Sequence, residues 1–292
     1  MVVICIASCT TSITPEIETN GEQLVVDSEI VPGQEVRVFL TTTASITGNS
    51  THFYPVGNEA EVYLVGEDGE KRLTYLDNNP GVYINKSFQI EEGKEYELRA
   101  NLTDSEAPSI FAETTVPTST AINDVEILNQ ETIQNQDESY SLILDVSVAI
   151  DKLQDSSNYL HLIPQKVDES DPGNRPYLDL SRGNIELLNS FNAAKELEHK
   201  NGIFIDYNKL SSETIDLRIT FNIGSNLENR PDHINFALRT TSEEYYDYHE
   251  NLSRQLTIGS FLISDPIVEF TNIENGWGIF GSYSVSEFQV SL

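Results

Sequence analysis

Cysteine occurs only at Cys5 and Cys9, both inside the first nine of 292 residues. A body without cysteine excludes a disulfide framework, a thiolate metal site and a cysteine nucleophile. Basic residues are scarce too: 17 Lys and Arg stand against 47 Asp and Glu, a formal net charge of -30. Nucleic-acid binding needs a basic face that displaces counterions from phosphate. No Lys/Arg cluster exists here, so no nucleic-acid partner is expected. The same acidic surplus repels anionic lipid headgroups and suits a strongly solvated body. Beyond the N-terminus, no segment approaches the ~20 apolar residues of a membrane-spanning helix.

What remains is enough for packed cores. Hydrophobic residues make up 38%, and 13 Tyr with 12 Phe set the chain apart from a disordered one. At roughly 100–200 residues per domain, the length points to two domains.

The N-terminus explains why cysteine sits only there. Residues 1–9 read MVVICIASC: an apolar run, then small residues, then Cys9. Ile6-Ala7-Ser8-Cys9 resembles the lipobox of bacterial lipoprotein signals, in which small side chains fit the signal peptidase and the cysteine thiol carries diacylglycerol. This implies residues 1–8 as a residual signal, Cys9 as the lipidated N-terminus and 9–22 as a polar tether containing Pro15 and Gly21. The apolar stretch is short and no positive n-region precedes it. The competing reading is a buried first strand with two ordinary core cysteines.

Residues 23–120 read as short strands rich in Val, Ile, Tyr, Phe and Thr, several of them alternating apolar and polar positions. Glu67-Asp68-Gly69-Glu70, between two such runs, is a hairpin turn. About seven strands in this stretch suggest an immunoglobulin-like β-sandwich. Residues 118–125 (TSTAINDV) make the boundary. Residues 121–292 read as a second antiparallel β-rich domain with two inserted helices. The first, near 185–200 (IELLNSFNAAKELEHK), rests on Ile185, Leu188, Phe191 and Leu197 and on Asn201-Gly202 as a stop. The second, near 243–256, starts from Ser242 as N-cap with acids in its first turn. The fold class expected is therefore mainly β.

Catalytic motifs are missing. The five histidines fall in no zinc spacing, and no nucleophile elbow, phosphate loop or dinucleotide fingerprint occurs, so no cofactor, metal or catalytic set is expected. With 47 carboxylates, a glycosidase-type pair stays open as an alternative. Asp168-Glu169-Ser170-Asp171 reads as a solvated loop or a calcium loop. Asn78–Tyr83 reads as a turn that delivers Tyr83 to a strand. Tyr245, Tyr246, Tyr248 and Trp277 are aromatic candidates for a carbohydrate platform, because sugar CH faces stack on rings. Among them Tyr245, Tyr248 and Trp277 are the platform residues expected, with core packing as the competing role. Gly276, Gly278 and Gly281 around Trp277 imply close backbone packing.

NIENGWGIFGSYS, preceded by EYYDYHENL, resembles the end of a family of Bacteroidetes lipoproteins, domain-of-unknown-function family 4249. The EVYLVGEDGEKRLTYLDNNPGVY hairpin and the VPTSTAINDVEI junction fit it as well, so the likeness covers nearly the whole chain after Cys9. The resemblance implies an outer-membrane lipoprotein associated with Sus-type nutrient-uptake loci. It carries no catalytic residues to transfer. Thr10–Ile13 lacks the acidic cluster of surface-export signals, so the resemblance assigns neither the cell surface nor the periplasmic face. The function expected is non-enzymatic. It is an accessory binding or scaffolding part held by its lipid anchor, with a TonB-dependent transporter and its lid lipoprotein as partners and a glycan or peptide as ligand. The rivals are a carboxylate-dependent hydrolase of glycans and a cell-surface adhesion or structural protein.

Overall fold

The computed structural model describes residues 23–43, 54–103, 108–152, 157–167, 177–179, 184–189, 193–197, 199–258 and 270–292. Cys9, the tether and the 168–171 loop lie outside them. The described chain is mainly β, with its strands in three sheets that are antiparallel but for one pair.

Alternation decides which face of each strand is buried. Leu24–Ile30 buries Leu24, Val26, Ser28 and Ile30 and turns Val25, Asp27 and Glu29 the other way. Ala60–Gly66 and Glu95–Leu102 alternate likewise, so Val62, Leu64, Leu98 and Ala100 meet Val26, Val38 and Leu40 in one apolar core between two sheets. The hairpin expected at Glu67–Glu70 forms, with Gly66 opposite Gly69. Gly69 has φ +99°, a conformation only glycine adopts without strain. Tyr83 is delivered into this core, and its hydroxyl donates to the Gly57 carbonyl.

A second core lies between the sheet Ile122–Gln134, Tyr140–Ile150, Thr214–Gly224, Ile185–Leu187 and the sheet holding Tyr159–Val167, Ile203–Asp206 and His233–Thr241. Leu142, Leu144, Val146, Leu217, Ile219, Leu238 and Phe236 fill it.

The last strand, Trp277–Ser291, joins the two halves. Its first part runs parallel to Leu24–Ile30, with Val25 opposite Trp277 and Ile30 opposite Ser282. Its second part runs antiparallel to His233–Thr241, from Tyr283 opposite Thr241 to Ser291 opposite His233. One sheet of 11 strands therefore passes through both halves. The division expected at 120/121 is crossed by this strand, whose Phe280 belongs to the first core and whose Phe288 packs on the second.

The described residues contain one α-helix, α1 (Glu243–Ile258), and two single 3-10 turns. It begins as the sequence implies. Ser242 Oγ accepts the N–H of Tyr245 at 3.3 Å, and Glu243 and Glu244 sit at the positive end of the helix dipole. Ser242 Oγ also accepts the N–H of Ser282, which pins the helix start to the last strand.

The helix expected near 185–200 does not form. Ile185–Leu187 and Ala194–Lys195 are strands instead. Ile185 fits both periods, the helical one with Leu188 and the two-residue one of a sheet with Leu187, and in the structure Ile185 and Leu187 pair with Ile219 and Leu217. Asn189 then stops the run: its side chain donates to the Thr214 carbonyl and accepts the Asp216 N–H. A paired strand edge outcompetes the local helical preference here.

Candidate functional site

Helix α1 lies over the outward face of Leu24–Ile30 and the start of the last strand. Gly281 makes the approach close: a Cβ there would lie 3.3 Å from Tyr245 Cβ. The helix has two working faces. Tyr245, Tyr246 and His249 are buried at the seam with Val31, Leu197, Phe204 and Tyr283. Tyr248, Asn251, Leu252 and Gln255 line a cleft instead.

That cleft has a volume of about 280 Å³. Helix α1 forms one wall. Val25, Trp277 and Gly278 line the other side, and Thr43 and Phe270 complete the described lining. Trp277 and Tyr248 are both half-buried, so each ring leaves part of its surface to solvent. Trp277 Nε1 donates to Gln23 Oε1 at 2.6 Å, which fixes the indole. Gln255 Nε2 donates to Asn251 Oδ1 at 2.7 Å, and that oxygen also accepts the Phe270 N–H at 3.3 Å. None of the described lining residues carries a charge, although the chain as a whole carries -30.

Two of the three platform residues expected from sequence, Tyr248 and Trp277, thus meet across one cleft, 29 residues apart in the chain. The third does not join them. Tyr245 is fully buried, its ring edge-on to Tyr283 and to His249. It packs the seam and offers no surface to a ligand. Tyr246 is buried as well and stacks on Tyr159 at 3.9 Å.

Trp277→Ala removes one wall of the cleft. The expected cost is about 1–2 kcal/mol, from partial apolar burial and one hydrogen bond. Urea unfolding should therefore still show a cooperative folded state. A protein that no longer folds would instead make the indole a packing residue.

Beside the cleft sits a polar cluster that sequence reading misses. Glu29, on the same strand face as Val25, accepts from Lys200 Nζ at 2.9 Å and from His249 Nε2 at 3.1 Å. His249 Nδ1 faces His199 Nε2 at 2.9 Å. With Nε2 donating to Glu29, a neutral His249 accepts at Nδ1 from His199. Arg239 lies 4.5 Å over the Tyr283 ring, and its Nη1 donates to the Tyr245 hydroxyl at 3.4 Å. Burial alone would raise the Glu29 carboxyl. The hydrogen bond from His249 and the charge of Lys200 outweigh it and hold the group at about 2. Burial, with the His249 and Lys200 charges, pushes His199 down to about 4. His249 is lowered mainly by burial, against its bond to Glu29. His161, stacked on Phe204, is lowered well below its usual range by burial, and its Nε2 donates to the Asn201 carbonyl. The histidines, which fall in no zinc spacing, thus include a pair that meets across 50 residues. The one local signal was the placement of His249 one turn after Tyr245, on the helix face that is buried.

These histidines fold as neutral groups. A depressed folded pKa means stability present above the unfolded value near 6.5 and lost as pH falls toward the folded one. Thermal unfolding midpoints should therefore decline between about pH 6.5 and 4. The decline should shrink in His199→Gln.

Among the described residues no set of three or more His, Cys, Asp or Glu is arranged to hold a metal. No described helix is long and apolar enough to cross a membrane.

Fold and cleft together define a class: a mainly β protein of several antiparallel sheets, with a helix laid over the joining strands and an aromatic cleft at its flank. A family model described as Domain of unknown function (DUF4249) matches residues 10–289, and the chain belongs to that family. No curated protein sequence matches it.

Proposed function

We propose that the protein is a non-enzymatic capture component of a Sus-like nutrient-uptake system, held at the outer membrane by lipid on Cys9. The observation that carries this reading is the cleft. Two half-exposed rings from different elements, the indole fixed by its hydrogen bond to Gln23, line it together with two carboxamides, and the described lining holds no carboxylate or imidazole. The cleft is open to solvent on the seam, where a bound molecule would touch both halves of the fold. The N-terminal half, read as an immunoglobulin-like sandwich, serves as a rigid spacer above the tether. The rest presents the ligand to a TonB-dependent transporter and its lid lipoprotein. Lipid on Cys9 supplies the anchor, since several acyl chains hold far more firmly than one.

Two measurements test the reading. Wild-type protein should label with radioactive fatty acid and pellet with membranes, and Cys9→Ser should do neither. The purified chain should bind on a combined glycan and peptide array, and Trp277→Ala should lose that binding while still folded. Turnover of a glycan panel that stops on a single Asp or Glu substitution would contradict the non-enzymatic reading.

A further inference from the structure

We infer that the ligand of the Trp277–Tyr248 cleft is an uncharged saccharide, with one ring seated between the indole and helix α1. This rests on the capture reading above and narrows it to a ligand class.

The lining selects by what it offers and withholds. An anion would enter the field of a chain carrying -30 and find no Lys, Arg or His among the described lining side chains. A cation would shed water and find no carboxylate among the described lining residues to replace it. A strand-adding peptide needs a free backbone edge, but Val25 is already paired on both sides, to Trp277 and to Thr41. A neutral sugar meets each condition. Its CH face stacks on an aromatic ring, and its hydroxyls donate to and accept from carboxamides.

The geometry fits one ring better than several. Ligand clefts commonly span about 300–1,000 Å³, and 280 Å³ falls just under that range. The cleft therefore grips one unit of a chain and leaves the rest in solvent, as an exposed site for long soluble glycans would. The indole is held by Gln23 and the Asn251 carboxamide by Gln255 and the Phe270 N–H. Both walls are set before binding, which spares ordering cost.

Trp277 is the single tryptophan of the chain, so intrinsic fluorescence reports the cleft. The full chain is titrated with neutral hexasaccharides of glucose, xylose and mannose, with oligogalacturonide as the charged counterpart, and with pooled uncharged hexapeptides. The expected result is a saturable emission change with at least one neutral glycan and none with oligogalacturonide. Gln255→Ala, a good helix former at a half-exposed position, should weaken that binding at least tenfold with an unchanged unfolding midpoint. Saturable binding of peptides or oligogalacturonide in place of neutral glycans would overturn the saccharide assignment and leave the capture reading standing. Silence from every probe would overturn both.

Discussion

Gly278→Ala should destabilise the protein by at least about 3 kcal/mol, the largest effect expected of a methyl added at any described glycine. Gly278 has φ +101°, and a Cβ there would lie 1.9 Å from the Val26 carbonyl oxygen. The obstacle is backbone, so no side chain can swing away. Relief requires the last strand to separate from Leu24–Ile30, where Gly278 stands opposite Val26 in the parallel pair. Gly33→Ala is the control. It has φ +76° but nothing within 4 Å, so it should cost only about 1 kcal/mol of conformational strain. Urea midpoints of the two variants separate close packing from backbone conformation. Because Gly278 also lines the cleft beside Trp277, the Gly278 variant should shift the indole emission as well.

Glu29→Gln should cost about 2–3 kcal/mol at pH 7. Removing one member of a buried ion pair costs about 3–5 kcal/mol. Glu29 and Lys200 keep about a quarter of their side-chain surface exposed, 23% and 24%, which reduces that penalty by solvent screening. The variant leaves the Lys200 ammonium without its carboxylate and removes the charge that His249 Nε2 donates to. The sign of the pH dependence follows from the depressed Glu29 carboxyl. Its contribution is fully present above the unfolded value near 4.5 and is lost as pH falls through about 2. The gap between wild type and Glu29→Gln should thus be widest near neutral pH and close in strong acid. A gap independent of pH would mean that Glu29 acts through shape and not through charge.

Both effects arise at the junction of the two halves, where the sequence was least legible. Local pattern was enough for the strands that alternate cleanly, for the Asp68-Gly69 hairpin and for the start of α1 at Ser242, because each depends on residues within one turn or one strand. Pattern misled at 185–200, where Ile185 fits the helical period with Leu188 and the strand period with Leu187, and only the pairing of Ile185 and Leu187 with Ile219 and Leu217 decides. Nothing local marks Trp277–Ser291 as shared between two cores, or joins Glu29 to His249 across 220 residues. The platform was half legible. Aromatic type and spacing identified Tyr245, Tyr248 and Trp277, but whether a ring faces solvent or core is settled by what covers it. Gly281 lets Tyr245 sink against the last strand, while Tyr248, three residues on, lines the cleft.

The central claim is capture at the Trp277 cleft, and one measurement addresses it most directly. Fluorotryptophan incorporated biosynthetically gives a single fluorine resonance, since Trp277 has no counterpart elsewhere in the chain. Titration with a ligand found by array should move that resonance saturably, with the same midpoint as calorimetry and no movement in a Gln255→Ala sample at equal ligand. A resonance that stays fixed while calorimetry reports binding would place the ligand elsewhere on the protein and contradict the account.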